Sequence, residues 1–161
     1  TPNERQQVSV SELTSQLSHL VSTKVAMVSA DFTVTGEDFV MTINVTQILQ
    51  VLCNLVFNSC DAVADATVRR IHVSFEKEGQ EVSIVVQDTG SGIPNALREK
   101  ILKPFFTTKE VGQGTGLGLS LSRTIAENHG GMLRILEARN GAKIELRLPL
   151  DGGSLYRQKV A

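Results

Sequence analysis

"NVTQILQVLCNLVFNSCDAVA", Asn44 to Ala64, followed closely by "RIHVSFEKEGQEVSIVVQD", Arg70 to Asp88, sets the architecture. The first stretch holds no Gly or Pro and repeats apolar residues at Ile48, Leu49, Leu52, Leu55, Val56 and Val63, the spacing of one helical face. The second alternates. Ile71, Val73 and Phe75 lead to a turn at Gly79, and Val82, Ile84 and Val86 follow it. Period two on both sides of a glycine predicts two half-buried antiparallel strands. The expected core is a long helix lying on a sheet with one apolar face.

Outward from there, residues 8–24 place Val10, Leu13, Leu17, Leu20 and Val21 at helical spacing, with Ser11 or Ser9 available as cap. "VAMVSADFTVTGEDFVMTI" offers β-branched runs broken at Gly36-Glu37-Asp38, which predicts a hairpin. On the C-terminal side, "NALREKILKPFF" predicts a short helix stopped before Pro104, and 105–116 a loop. Leu117 to His129 predicts a helix with Leu117, Leu121 and Ile125 on one face, ended by Gly130-Gly131. "MLRILEARNGAKIELRLP" is a hairpin signalled by Asn140-Gly141. The sum is an α+β fold, a mixed, mostly antiparallel sheet with helices on one face. Residues 1–7 read as a linker remnant, 8–150 as one domain and 151–161 as a frayed tail.

At 161 residues the chain fits a single core. Sixteen Lys and Arg stand against 17 Asp and Glu, so a net charge of −1 offers no global attraction for nucleic acid or an anionic membrane. No apolar run approaches the roughly 20 residues of a membrane span, and "TPNERQQVSV" lacks the regions of a signal peptide. A cytoplasmic location is expected. Cys53 and Cys60, seven residues apart on one helix, stand about 10 Å apart along its axis, too far for a disulfide.

Four stretches carry chemistry. In "GQGTGLGLS", Gly112 to Ser120, glycine recurs at every second position just before a helix; a bare backbone and a helix N-terminus both favour phosphate. Neither a P-loop nor G-x-G-x-x-G matches. In "DTGSGIP", Asp88 to Pro94, an aspartate leaving a strand beside Ile93 and Pro94 could accept from the exocyclic amine of a purine. In the long helix Gln47, Gln50, Asn54, Asn58, Asp61 and Asp65 share a polar stripe, and Asn is a poor helix former. Carboxamide oxygens one turn apart suit Mg²⁺. In "KPFFTTKE", Thr107, Thr108 and Lys109 can reach a polyphosphate above Phe105 and Phe106.

In order and spacing these stretches resemble the N, G1, F and G2 boxes of the ATP-binding catalytic domain of sensor histidine kinases. That group sits in a larger family with type II topoisomerase ATPase subunits, a heat-shock chaperone and mismatch-repair ATPases. The likeness covers roughly Val8 to Pro149, and "PFFTTK" followed so soon by the glycine loop looks most like the short-lid kinases of the nitrogen-regulation type. It implies the Bergerat fold, a two-layer α/β sandwich, binding ATP with Mg²⁺. Carried over by position, it makes Asn58 the metal ligand and Asn54, Asn58 and Lys109 the catalytic residues. Asp88 would hold adenine, with Gly90, Gly92 and Ile93 shaping the pocket. Phe106, Thr107, Thr108 and Lys109 of the lid, and Gly114, Thr115, Gly116, Leu117 and Gly118 of the glycine loop, would hold nucleotide. Asp61 stands among the nucleotide-binding positions where many relatives carry a basic residue, and Ser59 replaces the more usual Ala.

Hydrolysing relatives carry Glu where this chain has Asn54, and an amide cannot serve as general base, which favours transfer to a histidine over attack by water. None of His19, His72 and His129 sits in an acceptor box. The resemblance therefore implies a partner domain bearing the histidine and, through it, a response regulator, with this domain monomeric alone. A silent nucleotide-sensing module and an ATPase are the other readings.

Overall fold

The computed structural model describes residues 4–104 and 118–153. In chain order these form β1 (Gln6–Ser9), α1 (Val10–Met27), β2 (Asp31–Gly36), β3 (Val40–Ile43), α2 (Val45–Val63), β4 (Arg70–Glu78) and β5 (Glu81–Asp88). Two short 3₁₀ turns follow, Asn95–Leu97 and Lys100–Leu102, then α3 (Gly118–Asn128), β6 (Met132–Leu136) and β7 (Lys143–Pro149). The strands make a five-stranded sheet in the order β2-β4-β5-β7-β6 and a separate β1-β3 pair. Only β2 and β4 run parallel; every other described pairing is antiparallel. The fold is α+β, as expected.

Side-chain alternation decides which sheet face is dry. Ile71, Val73, Phe75, Val82, Ile84, Val86, Ile144, Leu146 and Leu148 are buried together with the inner faces of α1 and α2. The opposite face is polar: His72 lies between the hydroxyls of Thr33 and Thr35, and Glu145 is held by Ser83 and Arg134. Helix α2 buries ten residues, including Ile48, Leu52, Leu55 and Val56. At about 1.5–3 kcal/mol per fully buried aliphatic side chain, it is the principal organiser of the core. Its N-terminus is capped by Asn44, whose side chain accepts from the Gln47 N–H at 3.0 Å.

Several expectations need correction. The hairpin at Gly36-Glu37-Asp38 does not form. β2 instead pairs in parallel with β4, and β3 with β1. The acid that looked like a turn residue caps α1: Asp38 accepts from the Ser11 N–H at 3.1 Å and from the Ser11 hydroxyl at 3.0 Å. The helix cap itself is Ser9, so α1 begins at Val10, and Gln6 and Gln7 of the stretch read as linker lie in β1. Leu20 lies off the buried stripe of Val10, Leu13, Leu17, Val21 and Val25, and is 52% exposed. Leu121 is likewise exposed; α3 buries Ser122, Ile125 and Ala126. Residues 95–102 make two 3₁₀ turns rather than one helix. Gly152 and Gly153, read as frayed tail, are buried, Gly153 against the His129 carbonyl just after α3. Cys53 and Cys60 are free, and burial pushes both thiols up. Among the described residues no helix is long and apolar enough to cross a membrane.

His129 joins α3 to α2. Its Nδ1–H donates to the Ile125 carbonyl at 2.9 Å, and Nε2 accepts from the Asn44 backbone N–H at 3.2 Å. Burial lowers its pKa, partly opposed by the Ile125 carbonyl. A folded pKa below the unfolded value makes the unfolded chain bind the extra proton first. The stability this group contributes is therefore complete above about pH 6.5 and is lost as pH falls toward the folded value. The unfolding free energy measured in urea should drop between pH 7.5 and 5.5, by no more than about 1.4 kcal/mol per pH unit for one proton. His129→Gln should flatten that drop; an unchanged slope would remove the assignment.

Candidate functional site

The polar stripe of α2 divides along its length. Asn54 and Asn58 are half-buried, whereas Gln50, Asp61 and Asp65 are exposed. The Asn54 Nδ2 donates to the buried Ser122 hydroxyl of α3 at 3.3 Å. A Cβ placed on Gly118 would come within 2.6 Å of Asn54 Oδ1, so any side chain at the start of α3 would have to displace this carboxamide. Asn54 and Gly118, matched to different boxes in the sequence, are thus brought together. Asp61 points part of its charge elsewhere, to Lys24 of α1.

Asp88 ends β5 and is 4% exposed. Its backbone N–H donates to the Ala142 carbonyl at 3.0 Å. Its Oδ1 accepts from the Gly90 N–H at 2.9 Å and the Ala142 N–H at 3.2 Å. Among the described residues Oδ2 carries no hydrogen bond, and it is not sealed inside the fold: the buried side-chain atoms without a partner are Arg5 Nε and Arg98 Nε. One oxygen is fastened and the other is left for a donor. Next along the chain, the Thr89 hydroxyl accepts from the Arg70 N–H and donates to the Val68 carbonyl, closing the end of the sheet.

The glycines after Asp88 are pinned from two sides. A Cβ on Gly90 would lie 2.6 Å from the Ala62 carbonyl oxygen, one turn beyond Asn58 on α2. A Cβ on Gly92 would lie 2.8 Å from the Gly141 carbonyl oxygen. Ile93 packs against the core. Bare backbone at 90 and 92 therefore sits between α2 and the loop joining β6 to β7.

Ser122, Thr89, Gly141 and Ala142 belong to this constellation without having been singled out. Asn140-Gly141 was legible as a turn, yet β6 ends at Leu136 and β7 starts at Lys143, so the connection is longer than a two-residue turn. The residues beyond the turn itself reach Asp88. Phe105, Phe106, Thr107, Thr108, Lys109, Gly114, Thr115, Gly116 and Leu117 lie outside the described residues, and with them the lid type.

Residues 43–152 match the family described as Histidine kinase-, DNA gyrase B-, and HSP90-like ATPase. The chain is 43% identical over 110 residues to the two-component sensor PprA of Pseudomonas aeruginosa, covering 65% of this chain and 12% of that protein. It is 36% identical over 149 residues to the signal transduction histidine-protein kinase AtoS of Escherichia coli K12, covering 91% and 24%. Among solved structures, a nucleotide-free catalytic domain of the histidine kinase ThkA superposes with a TM-score of 0.83 at 35% identity, over 92% of this chain and 97% of that one. The chain thus spans between 12% and 24% of the length of these two sensors. The match and the superposition agree: the chain belongs to the Histidine kinase-, DNA gyrase B-, and HSP90-like ATPase family, as a domain of the sensor histidine kinase kind.

Proposed function

We propose that the chain binds Mg²⁺-ATP and passes the terminal phosphoryl group to a histidine on a separate dimerising domain of a longer cytoplasmic or membrane-anchored sensor. The observation that carries this reading is the Asp88 carboxylate, whose Oδ1 is fixed by the Gly90 and Ala142 N–H groups while Oδ2 carries no hydrogen bond among the described residues. Asp88 Oδ2 accepts from the adenine amino group, and Gly90, Gly92 and Ile93 shape the pocket. Asn58 offers its carboxamide oxygen to Mg²⁺. Among the described residues no three His, Cys, Asp or Glu gather as a metal site, which suits an ion held largely by water and phosphate oxygens. The bound metal would neutralise charge developing on the phosphates.

Transfer is favoured over hydrolysis by Asn54. Its carboxamide is held by Ser122 and has no basic atom to deprotonate water, whereas a neutral imidazole needs only placement and charge stabilisation. Two of the chain's three histidines are poor acceptors, since His129 is buried and both ring nitrogens of His72 meet threonine hydroxyls; the third, His19, is exposed on α1 but sits in no acceptor box. ThkA has been solved in complex with its response regulator TrrA, and its chain there is 31% identical to this one. By analogy, the partner histidine here would hand the phosphoryl group to a response regulator. Lys109 and the glycine loop would hold the triphosphate.

The test is titration with ATP, with and without Mg²⁺, followed by labelled transfer to a histidine-bearing helical pair. Asn58→Ala should weaken Mg²⁺-ATP binding about tenfold and metal-free ATP much less, as expected for one lost charge-assisted contact. An equal loss in both would remove the metal role. Binding without transfer would leave the silent sensor, and hydrolysis by this chain alone the ATPase.

A further inference from the structure

Asn140 is followed by Gly141, and no other asparagine of the chain precedes a glycine. In such a pair the main-chain nitrogen can attack the side-chain amide before it, because glycine has no Cβ to obstruct the approach. Regular secondary structure blocks that reaction by holding the main-chain N–H in a hydrogen bond. Here nothing holds it. Asn140 is exposed in the loop between β6 and β7, and among the described residues neither its carboxamide nor the Gly141 N–H makes a hydrogen bond. The other described asparagines stand in or beside helices: Asn44 caps α2, Asn54 and Asn58 lie within it, Asn95 opens a 3₁₀ turn and Asn128 ends α3.

We propose that Asn140 is a site of spontaneous modification by its own chain and water, and that the product loosens the hold of the β6–β7 loop on Asp88. The Gly141 nitrogen bonds to Asn140 Cγ and gives up its proton, the side-chain amide leaves as ammonia, and a cyclic imide remains. Water then adds to either imide carbonyl and breaks its bond to the ring nitrogen; the new carboxyl ionises. Opening at the side-chain carbonyl leaves aspartate. Opening at the main-chain carbonyl leaves isoaspartate, whose chain runs through the side-chain carbon and is one methylene longer.

Little space remains for a longer chain. A Cβ on Gly141 would fall 1.9 Å from the Asp88 carbonyl oxygen, and one on Gly92 would fall 2.8 Å from the Gly141 carbonyl oxygen, so the main chain at 141 is packed from two sides. The next residue, Ala142, donates to Asp88 Oδ1 at 3.2 Å and accepts from the Asp88 N–H at 3.0 Å. A methylene inserted just before these two residues must displace them, and Asp88 loses a partner that fixes its carboxylate. This functional half of the proposal rests on the reading of Asp88 as the acid that meets adenine; the covalent half does not.

The test ages the full chain in mildly alkaline buffer at physiological temperature, maps its peptides by mass and by enzymatic methylation of isoaspartate, and titrates it with ATP. The peptide holding residue 140 should gain the mass of a hydroxyl in place of an amide. Mapping separates it from the one Asp-Gly pair, Asp151-Gly152. The isoaspartate form, resolved by ion exchange, should bind ATP about tenfold more weakly, the order for one charge-assisted hydrogen bond lost. Asn140→Asp, which adds the charge without the methylene, should stay within about twofold of the original. Asn140→Gln, which must close a larger ring, should age without loss, and the backbone at 140 is not left-handed, so glutamine fits there. An unmodified Asn140 under conditions that convert the same residues in a short peptide would overturn the covalent half. Unchanged affinity in the isoaspartate form, or an equal loss in aged Asn140→Gln, would overturn the functional half. Fresh chain that does not bind ATP would sink the nucleotide reading and the functional half together, while the mass of the aged peptide still decides the chemistry.

Discussion

Asp88→Asn should leave the fold intact and weaken ATP binding by about 100-fold, the order expected when a charged acceptor is lost and a donor is set against a donor. The asymmetry of the carboxylate is the reason. An asparagine can place its carbonyl oxygen at Oδ1, keeping the bonds from the Gly90 and Ala142 N–H groups, so the end of β5 stays tied to the β6–β7 loop. Its amide nitrogen then occupies the Oδ2 position and meets the adenine amine with hydrogens of its own. A nearly unchanged melting temperature with calorimetric affinity reduced by two orders of magnitude is the expected pair of readings. ATP affinity within about threefold of the original would mean that this oxygen does not meet the base.

Gly141→Ala should damage fold and site together. The residue has φ +76°, in the region L side chains avoid, and its Cβ would fall 1.9 Å from the Asp88 carbonyl oxygen and 3.0 Å from Asp88 Oδ1. Left-handed strain and overpacking combine to about 2–4 kcal/mol. That corresponds to a melting temperature lowered by roughly 5–15 °C. Relief requires the loop or the end of β5 to move, which misplaces Asp88, so ATP binding should also be lost below the melting transition. Gly79→Ala is the control: φ is +63° there, but nothing lies within 4 Å of the added carbon. It should cost only about 1 kcal/mol and spare binding. Equal behaviour of the two variants would show that residue 141 contributes turn conformation alone.

The β4-β5 hairpin and the long helix were readable because each signal is local. Apolar period two around Gly79 and period 3.6 from Ile48 to Val63 leave few competing arrangements, and both elements form where expected. The β2-β3 hairpin failed for the opposite reason. Gly36-Glu37-Asp38 carries turn-forming residues, but Asp38 gains more by satisfying backbone and hydroxyl donors of Ser11, 27 positions earlier, than a local turn would offer. No residue pattern announces the parallel pairing of β2 with β4, because its partner strand lies beyond an intervening helix.

The same division runs through the site. Asp88, Asn54, Asn58 and the glycines at 90, 92 and 118 were visible as residue types that an ordinary strand end or helix face does not need, and their order along the chain pointed to the family now matched. Ser122, Gly141 and Ala142 carry no such mark, since Ser, Gly and Ala are unremarkable where they stand. What they do depends on distances across 54 to 68 positions of sequence, from Asp88 to Ala142 and from Asn54 to Ser122. Local spacing therefore settles which elements form and which groups they present. Only packing of those elements against one another decides which oxygen of Asp88 is left free, because its two backbone partners come from different segments of the chain.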